Sequence, residues 1–242
     1  MYFIANWKMF GSLNSLNSLH KVVKFFKKFK SKNFIKIIYC PPSLLIRPMV
    51  KKLKNSTIEV GGQNCHHSEF YGAFTGSINP NMLKNVGAKY VILGHSENRQ
   101  EGETNKLINL KIKTALKSGL KIIFCVGETL SEKKNKKTNQ VLRKQIKNGL
   151  SSIKNKSNII IAYEPVWSIG SGLIPTSENL TKSIKFIKSK FGKKSPKILY
   201  GGSVNGVNIT KLKNINTIDG FLIGGASQDP KKFIDIIKKT YI

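Results

Sequence analysis

Eight apolar runs of strand length, separated by segments of helical periodicity, narrow the folds open to this chain more than any other feature. The runs span Tyr2 to Ala5, Ile35 to Cys40, Ile58 to Gly62, Tyr90 to Gly94, Lys121 to Val126, Ile159 to Tyr163, Lys197 to Tyr200 and Gly220 to Ile223. Most are continuous rather than alternating, the pattern of parallel strands covered on both faces. Between them the apolar residues recur at helical spacing, as over Ser15 to Lys30, Leu44 to Leu53, Glu103 to Lys117, Asn139 to Ile153, Glu178 to Lys190 and Pro230 to Lys239. Strand then helix, eight times over, predicts a closed α/β barrel of the (β/α)8 type. A doubly wound open sheet is the competing architecture, but no G-x-G-x-x-G turn follows the first run. No linker or charge block marks a boundary, and 242 residues suit one barrel, so residues 1–242 read as a single domain.

The polar residues that interrupt this pattern fall at one end of it. Asn6 and Lys8 follow the first run, Gln63 and Asn64 the third, His95 and Glu97 the fourth, and Glu128 the fifth. Glu164 follows the sixth, Gly201 to Ser203 the seventh, and Gly224 to Ser227 the eighth. In a barrel the carboxyl ends of all strands share one rim, so residues distant in sequence converge there. The set is therefore more specific than any of its members.

Its centre is the segment AYEPVWSIGSG, Ala162 to Gly172. One carboxylate, Glu164, ends a buried strand and is followed at once by a Pro-started, Gly-rich loop of Pro165, Val166, Trp167, Ser168, Ile169, Gly170, Ser171 and Gly172. That reads as a general base beneath a lid, because desolvation by a closing loop makes a carboxylate a stronger base. Lys8 alone would be one solvated lysine among many. Set between Trp7 and Met9 at a strand end, however, it is expected to need an anionic neighbour, and Glu97 is the candidate. Glu97 could otherwise serve only as a helix cap.

His95, in LGHSENR, could be a structural histidine bonded to nearby backbone. Its place where a strand gives way to a helical turn disfavours an imidazolium, which leaves a neutral ring suited to polarising a carbonyl. The glycine pairs in YGGSV and IGGAS could each mark a tight turn. Together, after the last two strands, they form the usual barrel site for a phosphate, to which Gly170 and Ser171 of the lid could add amide donors. Glu128 is expected in a structural salt bridge on the rim, Asn6, Gln63 and Asn64 in orienting neighbours, and Trp167 in packing at the lid hinge.

Composition excludes more than it assigns. A formal charge of +30 would ordinarily suggest nucleic acid or an anionic membrane as partner. Arginine, however, occurs only at 47, 99 and 143, while lysine is scattered through every helical segment. A surface that reads phosphates should be clustered and richer in arginine, so neither nucleic acid nor membrane is expected. The N-terminus meets Asn6 and Lys8 too early for a signal peptide and no run reaches membrane length, so a soluble, cytoplasmic protein is expected. Cys40, Cys65 and Cys125 are odd in number and each adjoins an apolar run, which implies reduced, packed thiols and neither a disulfide set nor a metal site.

From end to end the chain resembles the triosephosphate isomerases. The motifs NWKM, GQN, GAFTG, GHSE, CVGE, AYEPVWSIGSG, YGGSV and GGAS stand in that family's order and spacing. The resemblance implies a barrel that interconverts dihydroxyacetone phosphate and D-glyceraldehyde 3-phosphate through an enediolate, without a cofactor. Glu164 would move the proton, neutral His95 would donate to the substrate oxygens, Lys8 would add positive charge, Asn6 would help orient the substrate, and Glu97 would hold Lys8. Asn6, Trp7, Lys8, Gly170, Ser171, Ser203, Gly224 and Gly225 would bind the triose and its phosphate. A homodimer is implied too, with Thr75 at the tip of a loop that enters the partner. Several positions depart from the family pattern: Phe10 stands where Asn is common, Ser77 where Glu is, and Asn98 where Arg often is. In the lid, Ser168 and Ser171 replace Ala and Thr, and Pro175 stiffens its exit. Another phosphate-binding barrel isomerase or synthase is the nearest alternative, and a basic nucleic-acid-binding protein a more distant one.

Overall fold

A computed structural model describes residues 1–241, with the side chain of Lys193 and all of Ile242 outside that description. Eight parallel strands close into one barrel in sequence order. They are β1 (Tyr2–Asn6), β2 (Lys36–Cys40), β3 (Glu59–Gly62), β4 (Tyr90–Leu93), β5 (Lys121–Val126), β6 (Ile159–Tyr163), β7 (Lys197–Tyr200) and β8 (Gly220–Ile223). Closure is made by β1, where Tyr2 pairs with Lys36 on one side and Gly220 on the other. The helices around it are α1 (Leu19–Lys28), α2 (Ser43–Lys52), α3 (Pro80–Asn85), α4 (Ser96–Gln100), α5 (Asn105–Lys117), α6 (Leu130–Lys134), α7 (Thr138–Gly149), α8 (Ser177–Lys188), α9 (Ile209–Leu212) and α10 (Pro230–Tyr241). Among the described residues no helix is long and apolar enough to cross a membrane.

Side chains alternate across each strand, so one set fills the barrel and the other meets the helices. Ile4, Ile38, Cys40, Tyr90, Ile92, Ile123, Cys125, Ile160, Ala162, Leu199 and Leu222 form the inner plug. Phe3, Ala5, Ile37, Tyr39, Val91, Phe124 and Ile161 face outward into the larger core beneath the helices. All three cysteines are free and buried. Burial pushes the Cys65 thiol up to about 12, so it stays protonated at neutral pH.

The long helix expected over Ser15 to Lys30 is divided. Asn14–Ser18 winds as a 3-10 turn, and α1 stops at Lys28, where Phe29 turns to extended backbone at ψ 123°. Leu16, Leu19, Val22 and Phe26 carry the apolar face, whose next position is the polar Lys30.

Candidate active site

Strand parity delivers two polar groups into the top of the barrel. Asn6 continues the inward series begun by Ile4, and Glu164 continues that of Ile160 and Ala162. The ends of β5 and β6 must approach closely for this, and the Glu164 amide donates to the Val126 carbonyl at 2.8 Å. A side chain at Gly127 would begin 1.7 Å from the Glu164 carbonyl oxygen, so only glycine fits there.

The Glu164 side chain is 2% exposed. Its Oε2 accepts from the Ser96 amide at 3.2 Å, while Oε1 is buried without a hydrogen-bond partner. His95 Nε2 lies 3.3 Å from Oε1, near but not aligned for a hydrogen bond. A buried carboxylate oxygen left open is costly, and it is a place where a ligand's proton can go.

His95 sits at the N-cap of α4, and its Nδ1 accepts from the Glu97 amide at 3.3 Å. A ring nitrogen that accepts a backbone N–H carries no proton itself, so in the neutral ring the proton is on Nε2, facing the cavity. The Glu97 carboxylate is 3.5 Å from the same Nδ1, too long to compete, and is instead paired with Lys8 Nζ at 2.5 Å. Lys8 holds a left-handed backbone at φ 51°, a conformation that costs a non-glycine residue energy and persists only where its neighbours enforce it. Asn6 Oδ1 accepts from the Lys8 amide at 2.9 Å, and Gln63 Nε2 donates to the Lys8 carbonyl at 2.8 Å and the Cys40 carbonyl at 2.9 Å.

Asn6, Lys8, His95 and Glu164 line a cavity of about 380 Å³ that also takes in Gly201, Gly202, Ser203, Gly224 and Gly225, whereas Gln63 and Glu97 line the neighbouring hollow. Gly225 opens the 3-10 turn Gly225–Ser227, whose first amides have no partners within the turn. Clustered free amides of this kind suit an anion. Glu164, His95, Lys8, Asn6, Ser203, Gly224 and Gly225 thus meet in one cavity, with Glu97 behind Lys8.

The lid starts with a 3-10 turn at Val166–Ser168. Ile169 and Gly170 reach the cavity, whereas Ser171 is exposed, donating through Oγ to the Trp167 carbonyl at 3.2 Å and accepting from the Leu173 amide at 3.2 Å. Glu128, expected in a salt bridge, has no ion-pair partner among the described residues. It accepts from the Trp167 indole at 3.0 Å and from the Tyr163 hydroxyl at 3.1 Å, and burial pushes its carboxyl up despite those bonds. The Lys133 charge acts on it only weakly and from outside contact, so it does not offset burial. Trp167 is held by more than packing: the Lys133 ammonium sits 3.2 Å from its ring centroid.

Trp7 needs a second correction. Expected at the substrate, its side chain follows Phe3 and Ala5 outward, donates to the Ser227 carbonyl at 3.2 Å and packs edge-on against Tyr39. Parity, not chemistry, decides its place. Asn64 bonds the buried Lys111 and Glu103 and lines a second hollow of about 460 Å³ beside the first. That hollow also holds Ser77 and Asn98, while Thr75 lies exposed at the tip of the adjoining loop. Two further groups escape a reading of the sequence: the Ser96 amide on Glu164, and Arg99, which clamps the Gly94 carbonyl at 2.7 Å and the Cys125 carbonyl at 3.1 Å. Neither follows from residue type, since backbone direction creates both.

Comparison with known proteins points one way. A profile of the family described as triosephosphate isomerase matches residues 1–240. The triosephosphate isomerase of Thermodesulfovibrio yellowstonii is 41% identical over 244 residues, covering 98% of each chain. That of Saccharomyces cerevisiae is 44% identical over 211 residues, covering 84% of each. The crystal structure of the Bartonella henselae enzyme superposes with a TM-score of 0.88 at 36% identity, covering 98% of both chains.

Proposed function

This chain belongs to the triosephosphate isomerase family and is an isomerase of triose phosphates, and we propose that the residues gathered on its rim divide the reaction as follows. Glu164 takes a proton from C1 of dihydroxyacetone phosphate through its open Oε1, leaving an enediolate, and the same carboxyl returns a proton to C2 to give D-glyceraldehyde 3-phosphate. His95 donates from Nε2 to the carbonyl oxygen O2 as it gains charge, giving it that proton, and recovers one from the O1 hydroxyl as C1 becomes the aldehyde. Lys8 adds a fixed positive charge beside it, and Asn6 orients the substrate. Glu97 is a positioning residue that acts through Lys8. The amides of Ser203, Gly224 and Gly225, joined by Gly170 and Ser171 when the lid closes, hold the phosphate. Closure over the enediolate excludes water and hinders loss of phosphate.

The observation that carries this reading is the buried Glu164 carboxylate with one oxygen unpartnered, 3.3 Å from the Nε2 nitrogen of His95 in the same cavity. Dihydroxyacetone phosphate in deuterated water is the test. Product that carries deuterium at carbon, formed without added metal or nucleotide, supports proton transfer by a protein base. Product without exchange, formed equally fast by Glu164→Gln, would favour direct hydride migration and remove Glu164 from this role.

The second part of the reading is a homodimer. Met9 lines the second hollow and is 93% exposed, and the exposed Phe74 packs on His66 of its wall with ring centroids 4.4 Å apart. Such a patch needs a cover. A loop carrying Thr75 from a second copy would cover that hollow. Ser77 and Asn98 line it, so the loss of an acid and a base there leaves no unmatched charge. Sedimentation at micromolar protein is expected to give a dimer, and an inactive monomer alone would refute this part.

A further inference from the structure

We propose that Ser168 is a positioning residue that links the lid to the phosphate site through one hydroxyl, an inference that rests on the assignment of the Ser203 amide to phosphate. Ser168 is fully buried at the first hinge of the lid. Its Oγ donates to the Leu173 carbonyl, across the lid, at 2.5 Å. The same oxygen lies 2.8 Å from the Tyr200 hydroxyl of β7 and 3.4 Å from the Ser203 amide.

Counting protons fixes the direction of every bond. A serine hydroxyl has one proton and two lone pairs. The proton goes to Leu173, so Tyr200 must donate to Ser168, and the Ser203 amide occupies the remaining lone pair. The hub is saturated. It joins the two arms of the lid to each other, anchors both to a strand of the barrel, and reaches the backbone donor that a phosphate would need. The space for it comes from Gly202, where a side chain would begin 2.3 Å from the Tyr200 hydroxyl and 2.7 Å from Ser168 Oγ. Alanine at 168 would leave the Leu173 carbonyl and the Tyr200 hydroxyl without partners and the lid arms untied.

The weakest bond in the hub is the one to Ser203. A phosphate that draws this amide away leaves the short bond to Leu173 and the bond to Tyr200 intact, so the lid keeps its shape while the anion gains a donor. Without the hydroxyl the amide is free, but the lid must be ordered each time it closes. That entropy is charged against phosphate binding.

The experiment compares the wild type with Ser168→Ala, Tyr200→Phe and the double variant. It reads kcat and KM for dihydroxyacetone phosphate, kcat/KM for glyceraldehyde, which lacks the phosphate, and competitive inhibition by inorganic phosphate. In Ser168→Ala, KM and the phosphate inhibition constant are expected to rise about tenfold while kcat changes by less than about threefold. The ratio of kcat/KM with and without the phosphate group is expected to fall about tenfold, and Tyr200→Phe is expected to add nothing once Ser168 is alanine. Equal losses on both substrates, independent effects of the two substitutions, or no change at all would overturn the linkage. Failure of inorganic phosphate to compete in the wild type would remove the phosphate site itself, and this inference with it. Competition that is normal in the wild type and unaltered in Ser168→Ala would remove only the role of Ser168.

Discussion

At the scale of single residues the chemistry depends on two oxygens and two nitrogens. Glu164→Gln keeps the shape of the side chain and the bond from Ser96 but cannot take a proton, so kcat is expected to fall by about 10³-fold or more with far-UV circular dichroism unchanged. His95 carries a sharper prediction, because its tautomer follows from the bond made by the other nitrogen. Nitrogen NMR on ring-labelled protein is expected to find the proton on Nε2; a proton on Nδ1 would leave no donor facing the substrate. Glu164 is legible in the sequence because a lone acid ends an apolar run, and Lys8 because it interrupts a hydrophobic strand end. The Ser96 amide and the Ser168 hydroxyl are not, since their roles depend on where the backbone turns and on what lies beside them in space. Trp7 misleads for the converse reason: it stands between two cavity-lining residues in sequence, and strand alternation sends it to the opposite face.

Secondary-structure elements are fixed by their termini, and one terminus offers a stability test. Asp219 precedes β8, accepting from the Ile198 amide at 3.0 Å and the Lys197 ammonium at 2.9 Å. Burial alone would raise its carboxyl, but those bonds and the nearby Lys188 prevail and hold it below the ordinary carboxylate range. A carboxyl lowered on folding stabilises the protein above its unfolded value, near pH 4, and that contribution disappears as pH falls through the lower folded value. Asp219→Asn is therefore expected to cost about 1 kcal/mol at pH 7, measured by urea unfolding, with the two proteins converging as the pH falls through the lowered folded value. A difference that persists unchanged in acid would mean that shape, not charge, sets the contribution of Asp219. All eight strands were readable because a strand covered on both faces leaves an unbroken apolar run. The helices α3, α4, α6 and α9 were harder, being six residues or fewer, too short to show a period. Only Pro80 and Leu83 of α3 are buried.

For the molecule as a whole the proposed dimer has to form between copies of charge +30. The exposed Met9 and Phe74 at the second hollow favour contact, while the summed charge opposes it over about a Debye length. The dimer is expected to tighten by about tenfold between about 20 mM and about 200 mM salt, measured by sedimentation, since screening removes the repulsion and leaves the apolar contact. Loosening with salt would instead mean that ion pairs hold the interface, against the paired absence of charge at Ser77 and Asn98. The charge has a second effect, on substrate capture: an anionic triose phosphate should be drawn inward, and kcat/KM should decline with salt more steeply than kcat.

The alternation that turns Ile160, Ala162 and Glu164 toward the lumen has a corollary for how such a chain can change over time. A strand offers two facings and nothing between them, so inserting or deleting one residue within β6 would swap the lining of the barrel for its outer coat and carry the acid into the helical layer. Point substitution can drift freely among the surface lysines, but length can vary only in the connections, where an added residue leaves the parity of every strand untouched.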